Sequence, residues 1–312
     1  MGALYLLCVA IMFSFGGTFA KLMAPYFTTE YITFFRFVFG VLMLLLLKAV
    51  LRQKFSKDLP KMIKECGGWL VFGAVAKVMA YLTENYGLTH GVSYGAILTQ
   101  PAQTVFITCL SAFVFKEKIT WKKALFIVPC VLGVMILSWN GRSLDDFVSG
   151  NLLLTSLFVL SGVFAGGHVF AQKKVAGKMD ILESNLIMFT IASFISFLPT
   201  IPPTMAGALT GVRPDLGCCL AILGFGCNTG IGFYLNAKAI PLVPFYMVPI
   251  IQSTMVIFTL LWGILFFHEP VSIYVIVGAL IFMLGIIGLQ LVDPGKPAGK
   301  GTAKKPGCIS EK

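Results

Sequence analysis

Long apolar runs follow one another along almost the whole chain. A helix needs roughly 20 consecutive apolar residues to cross about 30 Å of hydrocarbon. That ruler yields ten candidate spans, at 3–22, 29–50, 67–86, 92–115, 121–138, 151–172, 182–205, 216–238, 241–267 and 272–291. Inside a bilayer no water satisfies backbone N–H and C=O groups, so such segments are expected to be helices. Of the 312 residues 57% are hydrophobic and only 12% charged, a balance far from that of soluble domains. The expected fold is an all-α integral membrane protein with ten transmembrane helices.

Basic residues orient the spans, because cytoplasmic loops collect Lys and Arg. Nineteen of the 24 lie after spans 2, 4, 6 and 8 or in the tail; the opposite side has Lys21, Arg142 and Arg213. The expectation is a multi-pass protein of the plasma (inner) membrane with both termini cytoplasmic. Its net charge of +11 then reflects topology. No soluble domain offers a basic face, so nucleic acid is not an expected partner. Residues 292–312 are rich in Pro, Gly and Lys and read as a disordered basic cytoplasmic tail within reach of anionic membrane lipids. The opening "MGALYLLCVAIMFSFGGTFAKLM" carries no basic residue before its apolar stretch, which reads as a first span rather than a signal peptide. Eight cysteines, mostly within apolar runs and without CxxC spacing, read as small core residues with no disulfide framework, metal cluster or cofactor site.

The chain also repeats itself. "FKEKITWKKALFIVPCVLGVMIL" from Phe115 aligns with "FHEPVSIYVIVGALIFMLGIIGL" from Phe267 at an offset of 152, matching Glu117 with Glu269 and Gly133 with Gly285; Gln100 matches Gln252 upstream. Gly16–Gly17 and Gly166–Gly167 recur at an offset of 150. The halves, 1–140 and 150–291, would hold five spans each. An odd number makes the second copy enter upside down, giving two inverted five-helix repeats with a substrate site near the midplane and access alternating between the sides.

Together with "FFRFVFGVLMLLLL" and "YGLTHGVSYGAILTQPAQTVF", this pattern resembles the drug/metabolite transporter superfamily, specifically its EamA-type carriers. The resemblance covers residues 1–291. It implies that spans 1–4 and 6–9 surround a cavity while spans 5 and 10 pack at the periphery. It also implies transport of a small-molecule substrate, without naming which. The oligomeric state stays open, a homodimer included.

Two cations fall inside spans, Arg36 and Lys77. A charge at a span centre costs about 2.5–3.5 kcal/mol on insertion scales, so such residues face a partner or a cavity. Lys77 sits near the middle of span 3, with Tyr81 at i+4 and Glu84 at i+7 on the same face. Arg36 lies at a depth similar to Glu84, and a structural pairing with Glu84 or Glu30 is expected. Lys77 reads as a cavity or ligand residue, the alternatives being a buried pair with Glu84 or carbonyl capping. Gln100, Gln103, Asn228 and Gln252 complete the candidate lining, interhelical amide bonds being the alternative. His168 reads as a satisfied core histidine. Prolines 101, 244 and 249 are expected to interrupt spans 4 and 9.

Signals of chemistry are weak. "GVSYG", Gly91 to Gly95, fits G-x-S-x-G but opens a membrane helix instead of following a strand, and "HEPVS" lacks the second histidine of HExxH. The expected function is a secondary transporter of a small anionic or zwitterionic metabolite, such as an amino acid or organic acid, and not an enzyme. The alternative is an exporter of cationic or lipophilic drugs, which the lack of a mid-span carboxylate disfavours. A fluorescent protein that matures only in the cytoplasm, fused behind Lys312, is expected to fluoresce, and alkaline phosphatase at the same point to stay inactive. The opposite pair of results would invert the topology.

Overall fold

The computed structural model describes residues 2–115, 121–141, 152–239, 242, 251–252 and 254–292. Lys116, Lys118, Arg142, Pro244, Pro249 and the basic tail from 293 lie outside the described residues. Among those described the chain is helical, without a strand: α1 Gly2–Met23, α2 Thr29–Val50, α3 Leu59–His90, α4 Thr99–Phe115, α5 Trp121–Trp139, α6 Leu152–Val175, α7 Ile181–Met205, α8 Leu216–Ala239, α9 Met255–Phe267 and α10 Ile273–Val292. Six, α1 to α3 and α6 to α8, are long and apolar enough to cross a membrane; Leu125–Leu137, Met255–Phe267 and Ile273–Gly288 are shorter apolar stretches.

Several boundaries and breaks differ from the sequence expectation. At 32 residues, α3 is about 48 Å long at 1.5 Å per residue and outruns the apolar stretch 67–86 at both ends. Its added first turns carry Lys61, Lys64 and Glu65, polar residues that a hydropathy ruler excludes but a helix accommodates. Pro101 does not interrupt the fourth span. It lies in the first turn of α4, after the 3-10 turn Ser93–Leu98, where the missing proline N–H has no intrahelical acceptor to lose. Pro129 instead sits inside α5. Two further breaks had no proline to announce them. In α1 the Phe15 N–H donates to Met12 O, a 3-10 contact, just before Gly16. In α8 the backbone widens into a π-turn over Asn228–Gly232, a feature that recurs at functional sites in helices.

The helices associate in matched pairs. α3 packs on α6 and α8 on α1; α4 on α6 and α9 on α1; α3 on α7 and α8 on α2; α2 meets α7 and α5 meets α10. Exchanging the first five helices for the last five maps this set onto itself. Without water there is no hydrophobic force between helices, so close fit is needed, and small residues supply it. A Cβ on Gly162 would lie 2.5 Å from Thr99 O and 2.8 Å from Gln103 N. Gly226 and Gly230 give α2 the same access to α8, their added Cβ atoms falling 2.7 Å from Phe39 Cβ and 2.7 Å from Met43 Cβ. Gly133 and Gly278 face each other across α5 and α10, each added Cβ 2.6 to 2.7 Å from the other's carbonyl oxygen.

Polar contacts tie helix ends together at two levels. Lys48, in the last turn of α2, meets Glu183, in the first turn of α7, at 3.1 Å, and the Ser56 N–H and hydroxyl both donate to Glu183 at 2.8 Å. At the other ends of the same two helices the Tyr31 hydroxyl meets Thr204 Oγ1 at 2.5 Å. On that level Lys21 pairs with Glu269 at 2.5 Å, and the Ser272 hydroxyl donates to Asn140 Oδ1. Each contact joins ends that alternate threading puts on one side.

Gly162→Ala is expected to lower stability by about 1–3 kcal/mol, the cost of overpacking, because Thr99 O is backbone and cannot step aside. Gly68→Ala, with nothing within 4 Å of its added Cβ, is expected to hold or gain stability. Thermal unfolding of the two variants in detergent compares them directly.

Candidate functional site

Helical spacing puts Lys77, Tyr81 and Glu84 on one face of α3, and packing of α2, α6 and α8 closes around them. Arg36, on α2, is 6% exposed and Lys77 7%. Their surroundings differ. Arg36 Nη1 lies 3.6 Å from Glu84 Oε1, and the guanidinium carbon sits 3.4 Å from the Tyr81 ring centre and 4.6 Å from that of Phe225 on α8. Glu84 Oε2 also accepts a long contact, 3.5 Å, from the Ser161 hydroxyl of α6. Glu30, the other carboxylate considered for Arg36, instead accepts from the Thr28 hydroxyl at 2.5 Å.

Lys77 has no carboxylate within 4.0 Å among the described residues. Its ammonium lies 4.2 Å from the Tyr81 ring centre and 4.8 Å from that of Phe233. A desolvated cation–π contact is worth about 2 kcal/mol or more, and a mid-span charge costs about 2.5–3.5 kcal/mol. The two aromatic faces offset much of that cost for Lys77 but supply no counter-charge. Tyr81 is thus shared, its ring approached by both cations, and Phe37 packs 5.4 Å from it.

Among the described residues several buried polar atoms on the helices that enclose this cluster lack a hydrogen-bond partner: Arg36 Nε and Nη1 on α2, Asn228 Nδ2 and Thr229 Oγ1 on α8, and His168 Nε2 on α6. The other nitrogen of His168, Nδ1, donates to Gly73 O at 2.9 Å, so the histidine lies in the core, as its position suggested, but with one of its two ring nitrogens satisfied. Lys77 acts electrostatically on it. Asn228 opens the π-turn, between Phe225 and Phe233 on the same helix. Buried unsatisfied polar groups are costly and are commonly met by water or a ligand.

The sequence candidates therefore separate. Arg36, Lys77, Tyr81 and Glu84 come together, with Asn228 between the two aromatic residues that touch the cations. Gln252 does not join them through a contact: its Nε2–H donates to Asn236 Oδ1 at 2.7 Å. Gln100 has an interaction of its own, and Gln103 belongs to the turn of α4 whose backbone abuts Gly162. The G-x-S-x-G pattern at Gly91–Gly95 opens the 3-10 turn after α3, with a helix before it instead of a strand. Sequence reasoning missed Phe225, Phe233 and Ser161. The first two flank "GCNTGIG", a string of weak helix formers that marked the π-turn.

Comparison with known proteins adds a family. The model of the EamA-like transporter family matches the chain twice, over residues 1–139 and 152–291. The uncharacterized transporter YcxC of Bacillus subtilis (strain 168) is 26% identical over 230 residues, 70% of this chain and 72% of that protein. An uncharacterized transporter of Archaeoglobus fulgidus is 26% identical over 235 residues, 74% of this chain and 77% of that protein. A solved crystal structure superposes with a TM-score of 0.63 at 13% identity, covering 93% of this chain and 98% of its own; at that identity the likeness concerns fold alone.

Glu84→Gln is expected to destabilise the protein by about 3 kcal/mol, since removing one partner leaves a buried guanidinium uncompensated. Lys77→Met, which removes a buried charge that has no carboxylate partner, is expected to hold or raise the midpoint of thermal unfolding in detergent. Equal losses in the two variants would contradict this division of the charges.

Proposed function

The chain belongs to the EamA-like transporter family, and from that premise we propose that it is a secondary, alternating-access carrier of a small metabolite bearing a carboxylate, anionic or zwitterionic, such as an amino acid or organic acid. One observation carries the substrate class: Lys77 is a buried ammonium with aromatic neighbours and, among the described residues, no anion of its own. In this reading Lys77 attracts the substrate carboxylate, Arg36 offers its Nε–H, Tyr81 orients both cations, and Glu84 holds Arg36 in place through Nη1. Asn228 adds a donor, and Gln100, Gln103 and Gln252 line the route.

Alternating access in an inverted repeat needs two halves that exchange roles. The set of helix contacts, unchanged when the two groups of five helices are exchanged, supports that arrangement. So do the end contacts, the Lys48–Glu183 pair at one end of α2 and α7 and Tyr31–Thr204 at the other. The reading places the protein in the plasma membrane with both termini in the cytoplasm, as the basic residues indicate.

An exporter of organic cations would need an interior carboxylate to receive them. Among the described residues the carboxylate beside Lys77 and Arg36 is Glu84, and its Oε1 faces Arg36. Uptake of labelled metabolites into proteoliposomes, run for the wild type and Lys77→Ala, tests the proposal. The expected result is carboxylate uptake that the variant loses by at least tenfold. Undiminished carboxylate uptake by the variant, or uptake of organic cations alone, would overturn it.

A further inference from the structure

The charges around Lys77 narrow the substrate further, an inference that rests on the carrier reading above. Among the described residues Arg36, Lys77 and Glu84 are the Lys, Arg, Asp and Glu side chains brought together at the site, and they sum to one positive charge. The pairs nearer the helix ends, Lys48–Glu183 and Lys21–Glu269, are each balanced internally. His168 is counted as neutral: its Nδ1–H is held by Gly73 O, it is fully buried, and a second proton would add a third cation beside Lys77 with no acceptor for it. We infer that the substrate carries one net negative charge, so that the loaded site is electroneutral, and that it lacks an ammonium group.

The fate of a substrate ammonium makes the case. A zwitterion would bring a third cation into a buried site and needs somewhere to put it. Glu84, the carboxylate beside the two cations among the described residues, has Oε1 turned to Arg36 at 3.6 Å and Oε2 reached by Ser161. Aromatic faces could otherwise cage an ammonium, but Tyr81, Phe225 and Phe233 already lie against Arg36 or Lys77. Among the described residues the nitrogen donors without a partner are Arg36 Nε and Asn228 Nδ2, which accept nothing and so offer an ammonium no bond; Thr229 Oγ1 and His168 Nε2 are neutral acceptors, which can bond an ammonium but bring no counter-charge for a third buried cation. The two nitrogen donors suit oxygen atoms. The carboxylate of either acid can accept from them; a hydroxyl or keto oxygen adds a further acceptor where an α-ammonium adds none and brings repulsion. A 2-hydroxy or 2-keto acid is the class this arrangement selects over the matching amino acid.

Matched ligands test it. Binding of lactate and alanine, 2-hydroxy-4-methylpentanoate and leucine, and phenyllactate and phenylalanine to the purified full-length protein in detergent holds side chain and carboxylate constant while exchanging hydroxyl for ammonium. Leucinamide adds the cation without the carboxylate. The expected result, for whichever side chain binds best, is a hydroxy acid held at least tenfold more tightly than its amino acid. Lys77→Met should abolish hydroxy-acid binding while its unfolding midpoint stays at or above that of the wild type. Amino acids bound as tightly as or more tightly than the hydroxy acids would overturn this inference and leave the carboxylate carrier standing. Binding of leucinamide alone, or of none of the six acids, would overturn both.

Discussion

A single carboxylate in an apolar interior can neutralise one cation, and this protein places two cations within reach of the same tyrosine ring. Glu84 faces Arg36, at 3.6 Å, and the consequences spread outward. Lys77 is left with the faces of Tyr81 and Phe233. Those contacts offset the burial of the ammonium but supply no counter-charge. The pair also fixes where helices can lie, because Arg36 comes from α2, Glu84 from α3, Ser161 from α6 and Phe225 from α8. A buried ion pair contributes little net stability, but it is unforgiving of a missing partner, so it acts more as a register mark between helices than as glue.

The glue is close packing. Gly162 lets α6 lie against the backbone of α4, and Gly226 with Gly230 lets α8 lie against α2. These contacts bring the aromatic residues of α8 within a few ångströms of Arg36 and Lys77. The π-turn that follows, Asn228–Gly232, shifts the phase of the helix between Phe225 and Phe233. That shift is compatible with one aromatic residue serving Arg36 and the other serving Lys77, eight positions apart, where a regular helix would turn them by more than two full turns.

Much of this was legible in the sequence, and the reasons are local. Apolar runs give helices because backbone groups in hydrocarbon have no other partner. Lys77, Tyr81 and Glu84 share a face because the helical period puts them there. Gly162 with Gly166, and Gly226 with Gly230, stand out in the sequence as small residues four positions apart, at helix spacing. The misreadings are local as well. Hydropathy truncated α3 because its end turns are polar, and Pro101 looked like a break because a sequence does not say whether a proline falls in a first turn or a middle one.

The sequence by itself determined that the chain is helical and apolar, that Arg36 and Lys77 lie within apolar spans, and that Glu84 is within helical reach of Lys77. It could not decide which cation Glu84 serves. Spacing along α3 brings Lys77 and Glu84 to the same stripe, two turns apart, but Arg36 arrives from another helix at the depth of the carboxylate. Coulombic pairing depends on distance through space, and the packing of α2 against α3 sets that distance. The engagement of Gln252 with Asn236, the half-satisfied His168 and the aromatic seats of both cations were likewise decided by tertiary packing, since each joins residues that no periodicity connects.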